Sequence, residues 1–216
     1  MNNYFVILAA GKSKRFHKNL VKQFYNYRNK EIIDHSIEKS LNSKLFKKIL
    51  IVTNNVNYLK KKKYPKSTTI IKGGKERSDS SLMAIKYLKK YKPKNIFIHD
   101  AARPNFSIKL IDKLFKELKF NQCVVPAIKV ADSVKLKNKK KIINLNRNNV
   151  YLTQTPQAFD YKSLYKLQNN KNSKITDDAN LFISAGKKIK LINGEINNKK
   201  ITIISDIKID KSYSYG

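Results

Sequence analysis

The sequence predicts an α/β fold of the Rossmann-like type, with a mostly parallel, twisted sheet, helices on both faces and a projecting β-hairpin arm. Two observations predict the sheet. Short, continuously apolar runs recur along the 216 residues, and helix-type stretches separate them. This alternation is typical of parallel strands that are covered on both faces. A third observation, two runs of alternating polarity around a lysine-rich turn, predicts the hairpin.

The predicted elements follow one another in chain order. Apolar runs predict strands at residues 4–8, 48–53, 68–71, 95–99, 122–127, 189–192 and 201–204. Helical spacing of apolar residues predicts helices near residues 31–41, 82–88, 108–118, 161–167 and 177–185. Ligands of such sheets bind beyond the carboxyl ends of the strands. The loops after Leu8, Ile71 and His99 are therefore expected to form the site.

The predicted arm covers about residues 130–152 within a single domain that spans residues 1–216. Its two alternating runs lie at residues 130–136 and 142–145, on either side of the lysine-rich turn. A hairpin that projects from an α/β body has few partners in its own chain. The arm is therefore expected to act in dimerisation or as a lid.

The formal net charge of +32 is the most unusual feature of the composition. A polyanion partner such as nucleic acid is one explanation. However, the lysines are spread over the whole chain, which favours a compositional bias as the explanation. The positive charge would still attract small anionic substrates. No nucleic-acid partner is therefore expected. No membrane association is expected either, since the apolar run at residues 4–10 is too short to span a bilayer. The single cysteine, Cys123, is expected to be a core residue of a cytoplasmic protein.

The first candidate for chemistry is the loop at residues 8–16, Leu-Ala-Ala-Gly-Lys-Ser-Lys-Arg-Phe, which follows the first predicted strand. It holds Gly11 and the cations Lys12, Lys14 and Arg15, and Lys22 follows shortly after. A glycine lets backbone amides approach a phosphate closely, and nearby cations neutralise its charge. The spacing fits neither a Walker loop nor a dinucleotide fingerprint. A solvated lysine-rich loop is the alternative.

A second candidate is Asp100, in the run His-Asp-Ala-Ala-Arg-Pro at residues 99–104. A carboxylate at the carboxyl end of a strand is well placed to hold Mg²⁺ against phosphate oxygens. A helix cap or a salt bridge with Arg103 is the alternative, although Ser107 is the better cap for the next helix. His99 is expected to be a partly buried strand-end residue.

A third candidate is the double glycine at Gly73 and Gly74, which leads into a helix. Such a loop can press its backbone against a flat base while Ser80 or Asp79 reads the edge of that base; capping of the helix by Ser78 or Asp79 is equally open. The chain has no Ser-His-Asp arrangement, Cys-His arrangement or zinc-ligand spacing. Phosphate chemistry driven by position and charge is therefore favoured.

Taken together, these segments resemble the 2-C-methyl-D-erythritol 4-phosphate cytidylyltransferases of the non-mevalonate isoprenoid pathway. The resemblance covers nearly the whole chain. It rests on Leu8 to Gly11 with Arg15, Lys22 to Phe24, Gly73-Gly74 with Glu76-Arg77 and Asp79-Ser80, His99 to Pro104, Thr155 to Gln157, Thr176 to Asp178, and Lys200 to Thr202. It implies attack by the substrate's phosphate on the α-phosphate of CTP, with release of diphosphate, in a homodimer whose arms interlock.

The resemblance also implies roles for individual residues. Catalysis would fall to four cations: Arg15, Lys22, Arg147 and Lys200. The nucleotide would be held by Ala9, Ala10, Gly11, Gly74, Ser80 and Ala101, and Mg²⁺ by Asp100. The sugar phosphate would be positioned by Ser133, Arg147, Thr155, Thr176 and Lys200, with Arg147 from the same chain or from the dimer partner.

The chain departs from the family's pattern at three places. Ser13 stands where a second glycine is usual, Lys75 replaces an acidic residue, and Ser133 replaces a threonine. A ribitol 5-phosphate cytidylyltransferase is the closest rival, because it shares the run Gln-Thr-Pro-Gln at residues 154–157. Ala10 and Ala102 favour the isoprenoid enzyme over this rival. A nucleic-acid-binding module is a further alternative and rests on net charge alone.

Overall fold

The computed structural model describes residues 2–13, 15–17, 20–139, 141–168 and 177–207. Its strands are β1 (Asn3–Leu8), β2 (Asn26–Tyr27), β3 (Lys30–Glu31), β4 (Lys48–Thr53), β5 (Thr68–Lys72), β6 (Asn95–Asp100), β7 (Cys123–Lys129), β8 (Val134–Asn138), β9 (Lys141–Leu145), β10 (Tyr151–Thr153), β11 (Gln157–Asp160) and β12 (Lys190–Asn193). Its α-helices are α1 (Ile32–Asn42), α2 (Val56–Lys60), α3 (Arg77–Leu88), α4 (Ile108–Glu117), α5 (Tyr161–Gln168) and α6 (Ala179–Ser184). Within these ranges, no helix has the length and apolar character needed to cross a membrane.

The central sheet has eight strands in the order β10-β7-β11-β6-β1-β4-β5, and β12 lies beside β7. Strands β5, β4, β1 and β6 are parallel neighbours. Strand β11 runs antiparallel to both β6 and β7, and β10 runs antiparallel to β7. The predicted Rossmann-like, mostly parallel sheet is therefore confirmed.

The two faces of the sheet carry separate apolar cores, because side chains alternate along each strand. Along β1, Tyr4, Val6 and Leu8 contribute to the core under α3, α5 and α6. Phe5 and Ile7 contribute to the core under α1, α2 and α4. Both cores exclude water from the strands, so ligand chemistry is confined to the loops at the ends of the sheet.

The predicted strand at residues 201–204 is wrong. The amides of Thr202 and Ile203 donate to Asp206 Oδ2, at 2.6 and 3.0 Å, and a helical turn follows at residues 205–207. The amide of Ile201 donates to the carbonyl of Ala102 at 2.9 Å, and its side chain packs with Phe16 in a small third core. A side-chain carboxylate therefore binds amides that a strand would have paired.

The hairpin of the arm is formed by β8 and β9, which pair with each other at Val134–Leu145 through Asn138–Lys141. Leu136, Ile142 and Ile143 on it are exposed. Residues 151 and 152, which the sequence assigned to the end of the arm, instead belong to β10 (Tyr151–Thr153), which pairs with β7. The arm therefore ends before Tyr151, slightly earlier than the predicted boundary at residue 152.

Phe106 should contribute strongly to stability, since its side chain is fully buried against His99 and Phe5. We expect Phe106→Ala to lower the free energy of unfolding by about 3–5 kcal/mol, because it leaves a cavity in the core. Phe120 is 87% exposed, and Phe120→Ala should change the free energy of unfolding by less than about 0.5 kcal/mol. Urea unfolding of both variants measures the difference, and equal effects would contradict this account of the core.

Candidate active site

A cavity of about 490 Å³ opens at the carboxyl ends of β1 and β6. Leu8 and Asp100 are register partners at the ends of these parallel strands, so the loops that follow them lie side by side. Most of the predicted site residues line this cavity: Ala9, Ala10, Gly11, Arg15, Lys22, Ser80, Asp100, Ala101 and Lys200. Lys12 also lines it, whereas Lys14 lies outside the described residues.

The loop after β1 is held in shape by the buried side chain of Gln23. Gln23 Nε2 donates to the carbonyls of Ala9 at 2.6 Å and Gly11 at 3.2 Å. A Cβ added to Gly11 would meet no atom within 4 Å, so the loop is open on the cavity side. The result is a preformed concave backbone surface of the kind that accepts phosphates.

Lys22 lies on the wall of this cavity, and its ammonium donates to the carbonyl of Ile201 at 2.6 Å. Burial, together with the neighbouring cations Lys200 and Arg15, lowers its pKa to about 8. Lys22, Lys200 and Arg15 therefore lie near one another, and Asp100 and Asp206 offset their effect on the Lys22 pKa only in part. Such a cluster favours binding of a multiply charged anion.

The double-glycine loop packs directly on the loop after β1. A Cβ on Gly73 would overlap with that of Ala10, and a Cβ on Gly74 would overlap with that of Asp79. The Gly74 amide donates to Ser80 Oγ at 3.1 Å, and Ser80 Oγ donates to the carbonyl of Glu76 at 3.1 Å. The hydroxyl of Ser80 thus holds the loop in shape.

The sequence allows two roles for Asp79, capping of the helix or recognition of the base. Its Oδ2 accepts from the Glu76 amide at 3.1 Å, at the N-terminal turn of α3. Asp79 therefore stabilises the start of the helix. It does not line the 490 Å³ cavity, whereas Glu76 and Ser80 do.

Asp100 is the centre of a network of charges. Its Oδ1 accepts from Arg77 Nε at 2.9 Å and its Oδ2 accepts from Lys200 Nζ at 2.6 Å. Burial acts to raise the pKa of Asp100, but the charges of Arg77 and Lys200 outweigh it and hold the pKa well below its usual range. The salt bridge proposed as an alternative, with Arg103, is replaced by these two partners.

Arg77 extends this network to a second carboxylate. Its Nη1 donates to Oδ2 of Asp178 at 2.9 Å, and Ser81 Oγ donates to the other oxygen of Asp178. The sequence pattern predicts no individual role for Arg77 or Asp178. The one signal in the sequence is that both lie in segments that carry the family resemblance.

A smaller cavity of about 200 Å³ adjoins the first and shares Arg77, Asp100 and Lys200 with it. Its other lining residues are Arg103, Thr153, Gln154, Thr155, Gln157 and Asp177. Arg103 donates to the carbonyls of Asn198 at 2.8 Å and Thr153 at 3.4 Å. Arg103 was considered in the sequence only as a partner of Asp100, so its place in this cavity was missed.

His99 and Thr155 lock the end of β6. Thr155 Oγ1 lies 3.1 Å from His99 Nδ1 and accepts from the Asp100 amide at 3.0 Å. On the other side of the ring, His99 Nε2 lies within hydrogen-bonding distance of Ser36 Oγ and the carbonyl of Arg103. Burial lowers the pKa of His99 to about 3, so the ring is neutral. His99 is fully buried rather than partly buried as expected.

Two predicted site residues lie away from these cavities. Ser133 and Arg147 are exposed in the arm region, and Arg147 Nη1 donates to the carbonyl of Ala131 at 2.6 Å. Neither lines the 490 Å³ or the 200 Å³ cavity. Thr176 lies outside the described residues. Gly74 does not line the larger cavity directly but holds Ser80, which does.

In the part of the chain that the structure describes, no cluster of three or more His, Cys, Asp or Glu side chains is suited to hold a metal ion. Asp100 is nevertheless a hard oxygen donor at the junction of the two cavities. Mg²⁺ is commonly bound by one or two carboxylates together with substrate phosphates. The donor set therefore fits a metal that arrives with a nucleotide.

Comparison with known proteins gives consistent matches. The profile of the 2-C-methyl-D-erythritol 4-phosphate cytidylyltransferase family matches residues 4–214. The chain is 53% identical to the bifunctional enzyme IspD/IspF of Pelagibacter ubique, over 100% of the chain and 58% of that enzyme's length. It is 33% identical to the 2-C-methyl-D-erythritol 4-phosphate cytidylyltransferase of Thermosipho africanus, over 94% of each chain.

A solved structure matches the whole fold as well. The 4-diphosphocytidyl-2C-methyl-D-erythritol synthase of Anaerococcus prevotii superimposes with a TM-score of 0.87 at 27% identity, over 99% of this chain and 98% of the other. The expected enzyme class, a nucleotidyltransferase, is confirmed with the family. The chain belongs to the 2-C-methyl-D-erythritol 4-phosphate cytidylyltransferase family.

Proposed function

We propose that this chain transfers the cytidylyl group of CTP to 2-C-methyl-D-erythritol 4-phosphate. A phosphate oxygen of the acceptor forms a bond to the α-phosphorus of CTP, the bond from that phosphorus to the β-phosphate oxygen breaks, and diphosphate leaves. One observation carries the proposal: Arg77, Asp100 and Lys200 are shared by a cavity of about 490 Å³ and a smaller one of about 200 Å³. A nucleotide in the first and an acceptor in the second would meet at these charges.

The backbone around the larger cavity is suited to hold the nucleotide. The loop of Ala9, Ala10 and Gly11 would bind the triphosphate, and the loop at Gly74 with Ser80 would pack on the cytosine. Ala101, which follows Asp100 at the end of β6, would contact the nucleoside. These loops are already hydrogen-bonded in the free protein, so little ordering is required on binding.

Arg15 and Lys22 would stabilise the charge that builds up at the α-phosphate. Phosphoryl-type transfer depends mainly on alignment and on cations placed against the equatorial oxygens. Lys200 is well placed for the same task, since it lies on both cavities and is held by Asp100 at 2.6 Å. Lys12 would contribute general attraction for the triphosphate.

Asp100 would hold Mg²⁺ together with phosphate oxygens of CTP. When bound, the ion supplies positive charge and orients the phosphates. Before it binds, both carboxylate oxygens are engaged by Arg77 and Lys200, which keep the carboxylate ionised. Asp100 therefore has no proton to lose, and the ion would share its oxygens with Arg77 and Lys200 or displace these side chains.

The acceptor would be positioned by Thr155, Thr176 and Lys200 from one chain, and by Ser133 and Arg147 from the arm of a second. We propose a homodimer because Ser133 and Arg147 lie outside the cavities of their own chain, and because the arm exposes Leu136, Ile142 and Ile143. An interface between arms would cover these apolar side chains. A cytoplasmic location remains a prediction.

Release of diphosphate from CTP in the presence of Mg²⁺ tests the proposed reaction. We expect release with 2-C-methyl-D-erythritol 4-phosphate and little with ribitol 5-phosphate. Asp100→Asn preserves the shape of the side chain but removes its charge, and should lower turnover by at least about 100-fold while the unfolding curve shows a folded protein. Full turnover by this variant, or release only with ribitol 5-phosphate, would contradict the assignment.

Lys22 gives the reaction a predictable dependence on pH. A lysine with a pKa of about 8 is charged below that pH and neutral above it, so kcat/KM for CTP should fall as the pH rises past about 8. In Lys22→Arg the charge persists to much higher pH, and the fall should move upward even if the maximal rate is lower. In the control Lys12→Arg the fall should remain near pH 8; a fall near pH 8 in Lys22→Arg would show that another group titrates.

Mixed dimers test whether Arg147 acts in the partner's site. Arg147→Ala and Lys22→Ala should each be nearly inactive alone. If Arg147 acts across the dimer, random mixing of the two variants should restore about one quarter of the wild-type activity, because half of the dimers are mixed and each has one intact site. No recovery after verified subunit exchange would show that Arg147 acts in its own chain or not at all.

A further inference from the structure

Ser13 occupies the least expected position of the loop after β1. Its backbone φ is +55°, in the left-handed region that favours glycine. Glycine is also the residue that the family resemblance led us to expect here. The contacts of the Ser13 side chain can offset this conformational cost, and they join the loop after β1 to the segment of Lys22 and Gln23.

The hydroxyl of Ser13 joins the loop to the segment that carries Lys22. Ser13 Oγ accepts from the Lys22 amide at 3.1 Å and donates to Gln23 Oε1 at 3.2 Å. The side-chain nitrogen of the same residue, Gln23 Nε2, donates to the carbonyls of Ala9 and Gly11. One serine hydroxyl thus completes a ring of hydrogen bonds from the end of β1 to the backbone of Lys22.

The backbone of Ser13 places the other cation. Its carbonyl accepts from the Phe16 amide at 2.8 Å and from the His17 amide at 3.4 Å, which closes the turn that contains Arg15. The Phe16 side chain is buried in the small third core with Ile201, and the carbonyl of Ile201 accepts from the Lys22 ammonium. The backbone of Ser13 therefore shapes the turn that carries Arg15, whereas its hydroxyl holds the segment that carries Lys22.

We propose that Ser13 is a positioning residue whose hydroxyl sets Lys22 in place, beside Arg15, before the nucleotide binds. A glycine at this position would relieve the backbone but could not bond to Lys22 or Gln23. The loop of this chain is thus preorganised by a side chain, and its affinity for CTP should include that contribution. The role of Ser13 in turnover rests on the proposed cytidylyltransferase function. Its role in holding Lys22 through hydrogen bonds does not depend on that function.

The matched variants Ser13→Gly and Ser13→Ala separate the hydroxyl from the backbone conformation. Both remove the hydroxyl, but only glycine also relieves the left-handed φ. In the ligand-free full chain, we expect the Lys22 amide to exchange its hydrogen about tenfold faster in both variants, as the loss of one hydrogen bond allows. We also expect kcat/KM for CTP to fall by about tenfold in both, since Lys22 is less well placed.

Two outcomes would overturn the proposal. The first is an unchanged exchange rate at the Lys22 amide in both variants, or a Ser13→Gly variant that matches the original chain in exchange and kinetics. The second is faster exchange without any change in kcat/KM, which would make the serine structural only. Failure of the proposed function is distinguishable, because the unaltered chain would then release no diphosphate while the exchange comparison still decides whether the hydroxyl holds Lys22.

Discussion

The guanidinium group of Arg77 connects the segments from which the site is built. It is shared between Asp100 at the end of β6 and Asp178 just before α6, and it belongs to the first turn of α3. Asp178 is only 1% exposed, and an unpaired carboxylate so deeply buried would be costly. The position of Arg77 therefore constrains three chain segments at once, and the boundary between the two cavities follows from it.

A neutral histidine supports this network from behind. Because burial keeps His99 uncharged over the physiological range, its bonds to Thr155 and the loop after β6 do not change when the pH does. The Asp100 amide is held by the same Thr155 hydroxyl. Lys22, whose pKa is lowered, faces the cavity and changes its charge near pH 8, whereas His99, which orients the loop, stays neutral. A change of pH therefore alters the charge of the proposed site but not the hydrogen bonds that support it.

Much of the fold could be predicted from the sequence because the buried strands are continuously apolar and each ends in a polar loop. Leu8 and Asp100 were placed at one edge by this pattern alone. The error at residues 201–204 has a different origin: Ile201 and Ile204 pack in the small third core, Ile203 is exposed, and Asp206 binds the amides. Arg77 and Asp178 were missed because a charged pair more than 100 residues apart in sequence gives no local signal.

The site of Arg147 shows another limit of sequence reasoning. The sequence predicts that its segment belongs to an arm, but it provides no information on whether the arm returns to its own body. The structure has β10 in the main sheet and Arg147 bonded to the carbonyl of Ala131 in the arm region. The proposed role of Arg147 would require a second chain, and spacing within a single sequence does not encode such a contact.

The few carboxylates of this chain carry far more information than its many lysines. Cations outnumber acids by 47 to 15, so the presence of a lysine at any position is nearly uninformative. Asp34, Asp100, Asp178 and Glu195 each bind groups that are distant in the sequence. In sequences with the same bias, the acidic residues are therefore the ones to read first, and the loss of one should be a sharper sign of altered function than the gain of ten lysines.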